Sequence, residues 1–244
     1  MRRTPRRRYD PDSYHSMKAL IIDDERMARQ ELRRLLNTHP EVEVAGEART
    51  AEEALEMIGR LAPDVLFLDV RMPGMTGFEL LERLDDVPQV IFTTAYDEYA
   101  LKAFEVSALD YLVKPVAPAR LASAVAKLRP RGPSARMERV FVKDGERCWL
   151  VRVHDIFLLE SEGNYTRLYF AQERPLIQRS LTALGERLDP AVFFRAGRKH
   201  ILNLKWVERV ETAVSGNLQV KLRGGVMVEM SRRQSARFRE LLSL

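Results

Sequence analysis

Asp23, Asp24, Asp69, Thr94 and Lys114 each stand at the end of a short apolar run. Ala19-Leu20-Ile21-Ile22 leads into Asp23-Asp24, and Val65-Leu66-Phe67-Leu68 into Asp69. Val90-Ile91-Phe92 leads into Thr93-Thr94, and Tyr111-Leu112-Val113 into Lys114-Pro115. Runs this short and this apolar read as strands buried on both faces, the habit of a parallel sheet. In an open parallel sheet, ligands gather beyond the carboxyl ends of the strands. Three carboxylates, a hydroxyl and an ammonium should therefore converge on one spot. Carboxylates are hard oxygen donors suited to Mg²⁺. A carboxylate beside a divalent cation can act as a nucleophile toward phosphorus. The metal and Lys114 would offset charge on the transferring group, and the Thr94 hydroxyl can donate to a phosphoryl oxygen.

Taken singly, each residue has a plainer reading. Asp23-Asp24 would cap the next helix, Asp69 would be a turn residue, and Lys114 would be solvated. Their conjunction, each at the end of an apolar run, favours the site. The turn-prone stretch Val70-Arg71-Met72-Pro73-Gly74 after Asp69 predicts a carboxylate exposed at the sheet edge.

The elements that must position these groups follow from periodicity. Amphipathic helical patterns cover residues 25–37, 51–61, 78–84, 98–106 and 118–128, the last with Pro118 in its first turn. Alternation of strand and helix predicts a doubly wound α/β domain over residues 17–128. Residues 129–136, with two Pro, a Gly and a Ser, read as a linker. Residues 137–244 change character. Short strand candidates are separated by Asp144-Gly145, Gly163-Asn164, Gly216-Asn217 and Gly224-Gly225, and only two helical patterns interrupt them, at 180–188 and 231–242. Ser180 and Ser231 suit the N-caps of those helices. This second domain is mostly β.

Charge divides along the same line. Of a net +5 over 244 residues, residues 17–128 carry 13 basic and 20 acidic side chains, and residues 129–244 carry 22 and 13. An acidic half joined to a basic half implies different partners, and the basic half suits a polyanion, most simply nucleic acid. No apolar stretch approaches the roughly 18 residues of a membrane helix. The Arg-rich segment 1–16 lacks the apolar core of a secretory signal and reads as a disordered tail, with Met17 the natural or alternative start. The single cysteine, Cys148, excludes an intramolecular disulfide, suits a reducing cytoplasm, and reads as a packed strand thiol.

The first half resembles the response-regulator receiver family. The match rests on Ile21-Ile22-Asp23-Asp24-Glu25, on Leu68-Asp69-Val70-Arg71-Met72-Pro73-Gly74-Met75-Thr76-Gly77, and on Thr94-Ala95 and Lys114-Pro115. The resemblance implies a flavodoxin-like fold with five parallel strands, and Asp69 as the residue phosphorylated by a histidine kinase or a small phosphodonor. It implies Asp24, Asp69 and the Arg71 carbonyl as direct Mg²⁺ ligands, with Asp23 acting mainly through water. It also implies Thr94 and Tyr111 as switch residues and a cis Lys114–Pro115 bond. A phosphatase of the haloacid dehalogenase type also uses a strand-end Asp, but needs a second Asp two residues on. Arg71 stands there instead, so no enzymatic turnover is expected.

The second half resembles the LytTR DNA-binding family. The match rests on Asp155-Ile156-Phe157-Leu158-Leu159-Glu160-Ser161-Glu162-Gly163-Asn164-Tyr165, on Ser180-Leu181, on Phe194-Arg195-Ala196-Gly197-Arg198-Lys199-His200-Ile201-Leu202-Asn203, and on Met230-Ser231-Arg232-Arg233. The resemblance implies DNA contacts from Asn164, Arg198, Lys199 and Arg233. Gly197, Lys199 and His200 depart from the common His-Arg-Ser-Tyr pattern, which implies different site preferences. His200 is expected to pack near Tyr165 or Phe194, since no Cys/His cluster surrounds it.

Together these readings predict a cytoplasmic two-component response regulator that dimerises on phosphorylation and binds spaced half-sites in double-stranded promoter DNA. The competing expectation is a signalling protein whose β-rich domain binds protein or RNA.

Overall fold

The computed structural model describes residues 16–95, 108–130, 137–145 and 147–242. The expected tail apart from Ser16, the helical pattern 98–106 and linker positions 131–136 lie outside the described residues. The chain forms two compact units, one drawn mostly from its first half and one mostly from its second.

The first unit is built on five strands: β1 (Met17–Ile22), β2 (Val42–Ala48), β3 (Val65–Leu68), β4 (Gln89–Thr94) and β5 (Asp110–Val113). All pair in parallel, in the order β2-β1-β3-β4-β5. The strand order reverses direction between β1 and β3, which opens a crevice at their carboxyl ends. β3 and β4 are buried at every position, so β3 is an unbroken apolar run and β4 carries one at Val90-Ile91-Phe92. β2 lies at the sheet edge with only Val42 and Ala48 buried, so no such run marks it.

Helices α1 (Arg26–Leu36), α2 (Ala51–Leu61), α3 (Gly77–Glu82) and α4 (Pro118–Val125) connect or follow the strands. The Thr50 hydroxyl accepts from the Glu53 N–H at 3.2 Å, and the Glu53 carboxylate accepts from the Arg49 N–H at 2.8 Å. Side chain and main chain together thus fix the start of α2. Ile21, Phe67, Ile91 and Leu112 from four strands meet Leu32 and Leu36 of α1 and Leu121 and Val125 of α4 in one core. That packing holds the strand ends in register.

In the second unit, β6 (Arg139–Asp144) and β7 (Arg147–Arg152) form a hairpin. Half-buried Cys148 lies in β7 and forms no disulfide. A five-stranded sheet follows in the order β10-β9-β8-β12-β11. Its strands are β8 (Ile156–Glu162), β9 (Tyr165–Phe170), β10 (Leu176–Ile177), β11 (Phe193–Arg195) and β12 (His200–Asn203). β13 (Val207–Thr212), β14 (Leu218–Leu222) and β15 (Met227–Glu229) form a third sheet. The helices are α5 (Leu181–Arg187) and α6 (Arg232–Leu242), begun by Ser180 and Ser231. Their hydroxyls accept from the Ala183 and Gln234 N–H groups at 3.2 and 3.4 Å.

The five-stranded sheet separates two cores because its residues alternate in direction. Leu159, Leu168 and Ile201 face a core shared with Leu181 and Leu184 of α5. Their neighbours Leu158, Tyr169 and Leu202 face a core shared with Val220, Leu222 and Phe238 of α6. Phe238 is fully buried and meets Phe194 edge to face at 5.0 Å between ring centroids. Phe238→Ala is therefore expected to cost about 3–5 kcal/mol, read as a lower urea midpoint. A loss below about 1 kcal/mol would mean that α6 is not anchored through this ring.

Candidate functional site

Asp23, Asp69 and Lys114 lie one step past their strands and still belong to the sheet's hydrogen-bond ladder, and Thr94 ends β4. The Asp23 N–H donates to the Ala48 carbonyl at 3.1 Å, and the Asp69 N–H to the Ile22 carbonyl at 2.8 Å. The Lys114 N–H donates to the Thr94 carbonyl at 2.9 Å. Each side chain is thus positioned by β-sheet geometry rather than by a free loop.

The Lys114 ammonium sits 2.7 Å from an Asp23 carboxylate oxygen and 2.6 Å from one of Asp69. Asp23 and Asp69 are 2% and 4% exposed, whereas Asp24 is exposed. Carboxylate oxygens of Asp23, Asp24 and Asp69 all lie within 4.8 Å of one another. Burial pushes the Asp23 carboxyl up, against the pull of Lys114. Burial would also lower the Lys114 ammonium, but its hydrogen bonds to Asp23 and Asp69 outweigh this and raise it. Lysine is the group held firmly charged, because two carboxylates face one cation.

The expectation that Asp69 stands exposed at the sheet edge is corrected. Lys114 hydrogen-bonds one of its oxygens, and the Arg71 N–H donates to the other at 3.2 Å. The chain after Asp69 also folds back closely, with the Gly77 N–H donating to the Val70 carbonyl at 2.9 Å. A Cβ at Gly77 would lie 2.4 Å from the Asp69 carbonyl oxygen, so this return requires glycine.

Leu68 pairs with Phe92, which puts Asp69 alongside the Thr93-Thr94 end of β4. Thr94 is fully buried, and its hydroxyl has no hydrogen-bond partner among the described residues. A buried donor of this kind needs an acceptor. Thr93 shares both properties. Tyr111 is buried in β5, and the Lys114–Pro115 bond is cis.

Sequence reading missed Arg29. This α1 residue is only 7% exposed. Its guanidinium donates to the Asp23 carbonyl at 2.8 Å, the Asp24 carbonyl at 3.2 Å and the Glu47 carboxylate at 3.2 Å. Glu47 also accepts from Arg33. Arg29 thus ties the acidic turn to edge strand β2. The available signal was spacing: Arg29, Leu32 and Leu36 fall on one helical face.

The residues expected to touch DNA lie on neighbouring surface segments of the second unit. Asn164 is in the β8–β9 turn, where Gly163 has φ +63°. Arg198 and Lys199 are exposed in the β11–β12 loop, and Arg233 is exposed in the first turn of α6. His200 pairs with Glu160 at 3.3 Å. Glu160 also accepts from the Tyr169 hydroxyl at 2.6 Å. A Cβ at Gly197 would meet nothing within 4 Å, so the fold does not require glycine there.

Replacing Arg29 by Met should cost about 1.5–3 kcal/mol, because carbonyl and carboxylate acceptors lose a charged donor. Arg29→Lys should recover part of this in a urea titration, and an unchanged midpoint for both would contradict the clamp. Burial raises the Glu47 carboxyl, but Arg33 and Arg29 outweigh it and hold it below its ordinary 4.5. A depressed carboxylate stabilises fully above its unfolded value and loses that contribution as pH falls through the folded one. The stability gap between wild type and Glu47→Gln should therefore shrink as pH drops below 4.5.

Comparison with known proteins finds a family for each half of the chain. Residues 19–126 match the response regulator receiver domain family, and residues 146–243 match the LytTr DNA-binding domain family. An uncharacterised response regulatory protein of Vibrio cholerae is 35% identical over 236 residues, covering 93% of this chain and 98% of that protein. The sensory transduction protein LytT of Enterococcus faecalis is 32% identical over 243 residues, covering 93% and 100%. The transcriptional regulatory protein BtsR of Escherichia coli is 33% identical over 242 residues, also covering 93% and 100%. The chain belongs to the response regulators that join a receiver domain to a LytTR DNA-binding domain.

Proposed function

We propose that Asp69 accepts a phosphoryl group from a sensor histidine kinase in a Mg²⁺-dependent reaction, and that the C-terminal domain then binds promoter DNA to regulate transcription. The observation that carries this reading is the meeting of Asp23 and Asp69 on one ammonium, that of Lys114, beyond the carboxyl ends of β1, β3 and β5. The donor set fits Mg²⁺, since it consists of hard carboxylate oxygens within 4.8 Å of one another. Asp23, Asp24, Asp69 and the Arg71 carbonyl would hold the ion. When bound, Mg²⁺ offsets negative charge on the phosphoryl oxygens.

A carboxylate oxygen of Asp69 forms the new bond to phosphorus. The donor's phosphorus–nitrogen bond breaks, and the imidazole leaves with the electron pair. Lys114, held charged beside Asp69, neutralises part of the added charge. The buried Thr94 hydroxyl donates to a phosphoryl oxygen and so gains an acceptor. Tyr111 fills the space that Thr94 leaves, which converts phosphorylation into a change of packing. With Arg71 where a hydrolase would need its second acid, phosphate is stored as a signal rather than turned over.

At the other site, Arg198 and Arg233 carry planar guanidinium forks suited to guanine edges or phosphates, and Asn164 can read adenine. Lys199 adds a phosphate contact. Arg232 and Arg233 place positive charge at a helix N-terminus, against the helix dipole. A bound phosphate relieves that opposition. Phosphorylation favours a homodimer that spans two half-sites, and the protein works in the cytoplasm.

Acetyl phosphate with Mg²⁺ should add one phosphoryl group to the wild-type protein and none to Asp69→Asn by mass spectrometry. Labelling that survived the substitution would move the acceptor elsewhere. Wild-type affinity for duplex DNA should fall steeply with salt. Arg198→Ala and Arg233→Ala should each lose about 1–3 kcal/mol if they read bases. Undiminished binding in both variants would refute the contact assignment.

A further inference from the structure

Arg195 ends β11 directly before the loop that carries Arg198 and Lys199. Its Nε donates to the Gly197 carbonyl at 2.8 Å, and its Nη2 donates to the Arg198 carbonyl at 2.9 Å. Its Nη1 reaches the Leu181 carbonyl at the start of α5, at 3.4 Å. All three acceptors are main-chain carbonyls, and none is a carboxylate. The guanidinium therefore braces the inner side of the loop against α5, while the Arg198 and Lys199 side chains remain exposed.

The same loop is bonded to both other segments expected to touch DNA. The Ser161 N–H, on the strand that leads to the Gly163-Asn164 turn, donates to the Lys199 carbonyl at 2.8 Å. The Ser231 N–H, which precedes the Arg232-Arg233 start of α6, donates to the Ala196 carbonyl at 3.2 Å. The Ala196 N–H closes the loop on the His200 carbonyl at 3.0 Å. Residues 196–199 thus form a hub through which the Asn164 turn and the Arg233 helix start share one backbone frame. Among the described residues, the Arg195 side chain grips the two peptide units at the hub's tip.

We infer that Arg195 is a positioning residue for sequence recognition: it sets the geometry of Arg198, and through the hub that of Asn164 and Arg233, without itself touching DNA. A planar fork with divergent N–H groups reaches three separated carbonyls in one fixed geometry, whereas an ammonium offers its three donors from a single point. A lysine keeps the charge but not the fork. Base readout depends on placing donors accurately against base edges, whereas affinity for the phosphate backbone depends mainly on charge. Loss of the fork should therefore damage specificity and spare non-specific binding. The inference rests on DNA recognition by Arg198.

The test uses the full chain and two duplexes: one recovered by the wild-type protein from a random-sequence library, and a scrambled duplex of the same length. Arg195→Lys should bind the selected duplex about tenfold more weakly, the equivalent of one lost charge-assisted bond. It should bind the scrambled duplex as wild type does, with an unchanged salt slope. In the background of Arg198→Ala, Arg195→Lys should cost clearly less than it does alone, the remainder passing through Asn164 and Arg233, because residues that act through one another are non-additive. If Arg195→Lys fails to fold, Arg195→Gln, which keeps an amide donor, enters the same cycle.

Three results would overturn the inference. One is wild-type discrimination in Arg195→Lys. Another is equal weakening on both duplexes with a shallower slope, the mark of a direct phosphate contact. The third is full additivity with Arg198→Ala. If wild type selected no preferred duplex, the DNA reading itself would fail. If wild type selected one and Arg198→Ala bound it undiminished, the Arg198 assignment alone would fail. Each of those results overturns this inference too, and each is distinguishable from failure of Arg195 alone.

Discussion

The Lys114 ammonium is the point on which the first unit's chemistry depends. It lies within 2.7 Å of two buried carboxylates that come from different strands. Taking such charges out of water costs several kcal/mol per ion, and their mutual attraction offsets this only if the geometry is good. That geometry is supplied by the sheet. Asp23, Asp69 and Lys114 each keep a main-chain bond to a neighbouring strand one residue beyond their own. The apolar packing of Ile21, Phe67, Ile91 and Leu112 under two helices fixes the register of those strands. A slip in register would separate the cation from one carboxylate and leave that carboxylate buried without a counter-charge. The site thus works as a constraint on the fold as well as a product of it.

The order of dependence explains what could be read from the sequence. Strands buried on both faces announce themselves as apolar runs, so the strand ends, and the groups standing on them, were legible. β2 was not, because an edge strand need bury only part of its length. The burial of Asp69 was also illegible. It follows from a lysine 45 positions away in the chain and from a loop that turns back tightly at Gly77. Arg29 was hidden for a different reason. A lone arginine in a helix with several others reads as solvated, and only its carbonyl partners show that it is structural. In the second unit the turn pairs and apolar alternation exposed most strands. β10, β11 and β12 run to only 2, 3 and 4 residues, too short for alternation to register.

Arg29 and Arg195 reveal a shared physical solution to a problem that both sites face. Each candidate site places charged groups on a turn just past a strand, where main-chain carbonyls have left the sheet ladder. Those carbonyls need donors, and buried ones that lack them destabilise the turn. A backbone N–H could meet one such need, but a turn has few to spare. An arginine can meet two or three from outside the turn, in a fixed plane. Arg29 takes the Asp23 and Asp24 carbonyls, and Arg195 takes those of Gly197 and Arg198. In both cases the guanidinium binds the backbone of the turn and leaves its charged side chains to others. A carboxylate brace on Arg198, or a cation placed directly on Asp24, would also have ordered the turn. It would have done so by neutralising the charge that the site presents. Gripping the main chain gives order without that loss, which is why the brace at each site is an arginine on carbonyls rather than an ion pair with the working group.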